Sequence, residues 1–199
     1  MKKKFFNMIA LLLFITGVQA SCNKEDSPVT SPRQPEQTPA AAGTFAKGAD
    51  VSWVTQMESE GLTFTDRNGV PTELMALLKK DCHVDAVRLR VWVNPASGWN
   101  NADDVLVKAR RAAALGLIDF HFSDSWADPG QQTVPAAWAG YDLPQMKTAV
   151  AAHVTSVLTK LKSFGITPEW VQVGNETRTG MLWPLGSIDK GGNYAELSN

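Results

Sequence analysis

Asp50, Arg90, His121, Asp124, Asn175 and Glu176 all stand at the end of, or just beyond, a short apolar run, and each run has a tryptophan in it or shortly behind it. The runs are Ala46 to Ser52 with Trp53, Ala86 to Val93 with Trp92, Leu117 to Ser123 with Trp126, and Trp170 to Glu176 with Trp183. Gathered on one rim, such residues suit a sugar polymer. Indole faces cover the apolar C–H faces of sugars, and polar groups read the hydroxyls. A Glu in a partly dry aromatic cleft is held protonated near neutral pH by desolvation, which is what protonating a glycosidic oxygen requires.

The residues meet only if the four runs are parallel strands, so the segments between them must be crossover helices. The spacing predicts helices over Thr72 to Lys80 (Leu74, Leu77, Leu78 on one face), Asp103 to Leu115 (Val105, Ala109, Ala112, Ala113) and Asp142 to Phe164 (Met146, Val150, Val154, Val157, Leu158, Leu161). Gly116 and Gly165 are read as the residues after two helix ends. Four strands with three crossovers fit half of an eight-stranded barrel or a small doubly wound sheet. Asp50-Val51-Ser52-Trp53 stands where a nucleotide fold would carry its Gly-rich loop, which favours the barrel. A complete barrel takes about 250 residues. The expected class is therefore α/β, a (β/α)8 TIM barrel truncated to about its first four βα units, over residues 44–199.

The chain has 199 residues, 44% of them hydrophobic, and a formal charge of −1. No basic stripe suggests nucleic acid. Lys2 to Lys4 precede an apolar run from Phe5 to Val18 that falls short of the roughly 18 to 20 residues of a membrane span, so residues 1–21 read as a secretory signal. Residues 22–43 carry Pro28, Pro32, Pro35 and Pro39 without apolar period and read as a disordered tether that could reach about 60 Å. Ala20-Ser21-Cys22 resembles a bacterial lipoprotein signal, with Gln19 departing from its usual aliphatic residue. Lys24-Glu25-Asp26 resembles the surface-export signal of Bacteroidetes lipoproteins. These resemblances imply lipidation at Cys22 and an outer-membrane lipoprotein at the cell surface, with a periplasmic or secreted protein as the alternative. Cys82 reads as a small buried hydrophobe, and two cysteines with three scattered histidines form no metal cluster.

Asp119 to Gly130, Val171 to Glu176, Gly180 to Pro184, Val87 to Pro95 and Gly48 to Ser52 together strongly resemble glycoside hydrolase family 53, the endo-β-1,4-galactanases. The likeness runs from about Phe45 to Gly186 and implies the N-terminal half of a barrel that cleaves β-1,4-galactan, the side chain of pectic arabinogalactan, with retention of configuration. It implies Glu176 as proton donor, Asn175 on the sugar 2-hydroxyl and Arg90 in support of the catalytic carboxylates. His121, Asp124 and Trp126 would line sugar subsites, and Trp92, Asp50 and Trp183 join them as rim residues that meet substrate. No cofactor is implied within these residues; calcium occurs in some relatives, in loops of the other half. Arg88 reads as a structural ion-pair residue, His83 and His153 as structural, and Trp170 as packing at the opposite rim.

The likeness also sets expectations about what is incomplete. A retaining glycosidase needs a second carboxyl about 5 to 5.5 Å from the first, and the family takes it from strand seven, so the chain as given is expected to be nearly inactive. Between Gly116 and Asp119 there is too little sequence for both a loop and a strand, so either the helix before it unwinds early or the third strand is short. The unpaired edges of strands one and four invite pairing, and the isolated chain is expected to aggregate, dimerise or stay partly molten. Beside the hydrolase stand two alternatives, a lipid-anchored galactan-binding half-barrel without catalysis and a non-functional truncated gene product.

Overall fold

The computed structural model describes residues 45–112 and 115–198. The signal, tether and Cys22 lie outside the described residues. Four strands, β1 (Gly48–Asp50), β2 (Ala86–Val91), β3 (Leu115–Phe120) and β4 (Trp170–Val173), form one parallel sheet in the order β1-β2-β3-β4. The helices between them are α1 (Val54–Ser59) and α2 (Leu74–Asp81), then α3 (Ala102–Arg111), then α4 (Leu143–Ser163). Beyond β4 come a two-stranded ribbon, β5 (Gly180–Met181) with β6 (Gly186–Ser187), and α5 (Tyr194–Ser198). This is a partial (β/α)8 barrel.

Local chemistry sets the helix starts. Asn101 Oδ1 accepts from Asp103 N and Asp104 N at 2.9 Å each, and Asp142 forms a reciprocal capping box with Gln145. The 21-residue α4 ends at Ser163 with Phe164 as its C-cap, and Gly165 follows with φ +74°, as its position predicted. Strand alternation sends Val87, Leu89 and Val91 to the helix side, where they are buried with Ile118, Phe120, Val105, Ala109, Met146, Val157 and Leu161. The other face of β2 and β3 carries Arg88, Arg90, Asp119 and His121 into the barrel interior.

Gly116 corrects one expectation. It is not the stop of α3, which ends at Arg111; it lies inside β3, at a register shift where Val87 pairs with Leu115 and Arg88 with Leu117. The shortage of residues is thus resolved by an early helix end, and β3 keeps six residues. A Cβ on Gly116 would sit 2.8 Å from Ala86 Cβ and 3.3 Å from both the Trp170 ring and the Val87 carbonyl. Gly116→Ala should therefore lower stability by about 1–3 kcal/mol, read as a fall in the urea midpoint with unchanged slope.

Cys82 is exposed at the C-cap of α2 rather than buried, because the chain there has left the sheet-facing side of the helix. His83 beside it is also exposed. On β4, Trp170, Val171 and Val173 are 50%, 39% and 56% exposed. None of the described helices is long and apolar enough to cross a membrane.

Candidate active site

Arg88, in the middle of β2, joins three strands. Its guanidinium bonds Asp50 on β1 and Asp119 on β3, and reaches Asn175 Oδ1 just past β4 at 3.2 Å. Asp119 is fully buried, and its Oδ2 also meets His121 Nε2 at 3.0 Å. His121 Nδ1 accepts from Ala127 N at 3.1 Å, so the ring proton sits on Nε2 and points at Asp119. Burial pushes the Asp50 carboxyl up, but the Ser52 hydrogen bonds and the Arg88 guanidinium outweigh it and hold it below its ordinary value.

Arg90, expected to support the catalytic carboxylates, makes no ion pair among the described residues. Its guanidinium carbon lies 4.0 Å from the ring centre of Trp126, 4.7 Å from Trp53 and 4.9 Å from Trp92. The indoles touch one another at 5.8 to 6.4 Å between centres. A cation desolvated among π faces gains more than it would in water, although Nε and Nη2 remain buried without partners among the described residues. Burial lowers its pKa. Trp92 is 6% exposed, whereas Trp53 and Trp126 are 38% and 39% exposed and present aromatic surface at the rim.

The other expected site residues divide by what their atoms already do. His121 is fully buried with both nitrogens engaged, so in this arrangement it orients Asp119 and presents no free atom to a sugar. Asp124 accepts from Asn94 N and Ala136 N at 2.9 Å each, which ties the loops after β2 and β3 together. Asn175 is buried, donating from Nδ2 to Ala127 O at 2.8 Å and accepting at Oδ1 from Gln172 at 3.2 Å as well as from Arg88. Glu176 stands three residues past β4, exposed rather than in the partly dry aromatic cleft expected of it, because the described residues place no ring over it, and its φ of +48° is a left-handed conformation. Trp183 donates from Nε1 to Thr179 O at 3.0 Å, and Lys190 Nζ lies 4.1 Å from its ring centre.

Four contributors have no role in the sequence reading: Asp119 and Gln172, which stand inside the family runs, and Lys108 and Gln132, which stand outside them. Lys108 is fully buried on α3, and its three protons meet Ser52 O, Asn100 Oδ1 and Asp104 Oδ2 at 2.8, 2.8 and 2.7 Å. Ser52 Oγ in turn accepts from Arg90 N at 2.9 Å, so the lysine anchors the loop after β1 against the arginine strand. Burial pulls the Lys108 pKa down against Asp104. The signal available in the sequence was a Lys on the apolar stripe with Asp104 one turn before it.

His153 on α4 packs edge-on against Phe120, Phe122 and Trp138, with its Nε2 buried and unpartnered among the described residues. Burial lowers its pKa from 6.5. The unfolded chain then binds the proton first, so this contribution is whole above pH 6.5 and is lost as pH falls below it. His153→Phe should flatten the decline in unfolding free energy between pH 7 and 5.5, measured by urea titration. An unchanged slope would remove His153 as its source.

Among the described residues no three His, Cys, Asp or Glu side chains are grouped to hold a metal ion. The model of Glycosyl hydrolase family 53 matches residues 46–199. A probable arabinogalactan endo-beta-1,4-galactanase A of Neosartorya fischeri is 40% identical over 163 residues, which cover 80% of this chain and 45% of that protein. An arabinogalactan endo-beta-1,4-galactanase of Thermothelomyces thermophilus is 41% identical over 154 residues, 76% of this chain and 46% of its own. Among solved structures, a fungal beta-1,4-galactanase superposes with a TM-score of 0.71 at 38% identity, covering 77% of this chain and 46% of that one. The GH53 catalytic domain of Ignisphaera aggregans gives 0.70 at 33% identity, covering 77% and 44%. The chain spans less than half the length of these relatives.

Proposed function

The chain belongs to glycosyl hydrolase family 53, and from that premise we propose that residues 44–199 supply the acid/base half of an endo-acting, retaining hydrolase of β-1,4-galactan. The observation that carries this reading is the rim itself. Glu176 lies just past β4 next to Asn175, which Arg88 joins to the carboxylates of β1 and β3, and the Trp53, Trp92 and Trp126 cluster surrounds the guanidinium of Arg90 on β2. The galactanase names of the relatives support galactan as the substrate class.

In this mechanism Glu176 protonates the departing glycosidic oxygen while a carboxylate from strand seven attacks the anomeric carbon. Glu176 then deprotonates the water that releases the glycosyl intermediate. Asn175 meets the 2-hydroxyl, and the exposed faces of Trp53 and Trp126 carry neighbouring galactosyl units. The charged N-terminus and the apolar run behind it support export, and Cys22 supports a lipid anchor at the outer membrane that presents the domain to polysaccharide.

The test is reducing-end release from β-1,4-galactan, set against β-1,4-xylan and cellulose, by a complete barrel carrying these residues. Release confined to galactan is the expected result; equal rates on all three would overturn the substrate class. Affinity electrophoresis of the 199-residue chain in galactan separates binding from cleavage. Retardation without release favours the anchored binding module, for which the exposed indoles are the supporting feature.

A further inference from the structure

We propose that Gln132 is a positioning residue for Glu176, acting through the peptide bond that precedes it; the inference rests on the acid/base reading of Glu176. A non-glycine residue at positive φ is disfavoured by its own Cβ and persists where its surroundings hold it. Glu176 has φ +48° and an exposed side chain, so what holds it must be backbone and its neighbours.

The neighbour is Asn175. Its carbonyl lies in the peptide plane from which the Glu176 φ is measured, and it accepts from Gln132 Nε2 at 2.9 Å. The same nitrogen reaches Asp128 O at 3.3 Å. Two carbonyl oxygens facing one side-chain atom call for two N–H groups on that atom, which a primary amide supplies and a carboxylate does not. Gln132 is 3% exposed, and its own carbonyl accepts from Trp183 N at 2.7 Å. Its side chain therefore holds the step into Glu176 while its main chain holds the returning strand of the same loop. Asn175 Nδ2 donates to Ala127 O, which fixes the residue from a second point on the loop after β3. Gln172 of β4 and Arg88 of β2 hold the Asn175 side chain, but the carbonyl that leads into Glu176 is held from β3's loop, by Gln132. A displacement of about 1 Å at a reacting group costs on the order of 100-fold in rate.

Gln132→Met keeps the length and removes both donors. Gln132→Glu keeps one donor while its buried carboxyl is protonated and loses it as pH rises. In a complete barrel labelled at glutamate, the strong intraresidue amide-to-Hα cross-peak of a positive φ should be present at Glu176, absent in Q132M, and present in Q132E only at low pH. In a complete barrel, Q132M should lower kcat on galactan by about 10- to 100-fold with KM unchanged. A Q132M chain that keeps the cross-peak, a wild-type kcat, or a change in KM alone would each overturn the assignment. If Q132M does not fold, a cross-peak in Q132E that ignores pH does so too. The two readings fail separately. Full activity of Glu176→Gln removes the acid/base role, whereas an inactive Glu176→Gln beside a wild-type Q132M removes only the positioning role.

Discussion

Replacing Glu176 with Gln in a complete barrel is expected to slow release of reducing ends from β-1,4-galactan by about 10²- to 10⁴-fold. The substitution keeps the shape of the side chain and takes away its proton. Because Glu176 is exposed and its backbone is held by others, thermal stability should change little, within about 0.5 kcal/mol. The loss should shrink on an aryl galactoside whose leaving group departs without protonation, and azide should restore the second step, since it needs no base. An equal loss on activated and natural substrates would show that Glu176 does something other than proton transfer. A Glu176→Gln enzyme with the parent rate on galactan would remove the acid/base role altogether.

Arg88→Met should cost about 3–5 kcal/mol of folding stability, the expense of leaving a buried charge without its partner. Asp119 has no solvent exposure, so when the guanidinium goes its carboxylate keeps only His121, and one oxygen is already unpartnered among the described residues. With a urea slope of about 2 kcal/mol per molar for a domain of this size, the midpoint should fall by about 2 M. Adding Asp119→Asn to Arg88→Met should recover part of that loss, because position 119 then no longer carries an unpaired charge. A single variant with an unmoved midpoint would mean that the three-strand junction is held by something other than this ion pair. Arg90→Met should cost less, since its partners are aromatic faces and no carboxylate loses a bond to it.

The contrast between these two arginines marks the limit of motif reading. Alternation places Arg88 and Arg90 on the same face of β2, and a charged residue facing a barrel interior needs a counter-charge. The choice between them depends on how far up the barrel each lies. Arg88 is level with Asp50 across the β1–β2 ladder and reaches Asp119, whereas Arg90 is one layer nearer the rim, among the indoles. His121 and Asp124 make the same point. Their positions in the run were legible, but the bonds that occupy them run to Asp119, Ala127, Asn94 and Ala136, partners from the same strand and from two loops.

Strand and helix periodicity, the stop at Gly165 and the family runs were all present in the order of residues, because each depends on residues within a few positions along the chain. From them followed the parallel strands, the rim and Glu176 at the end of the fourth strand. The early end of α3 at Arg111, the place of Gly116 inside β3, the burial of Lys108 and the clamp of Gln132 on Asn175 were decided only by tertiary structure. Each of these depends on atoms far apart in sequence meeting at van der Waals or hydrogen-bond distance. Such meetings are set by register and packing, which local pattern does not encode.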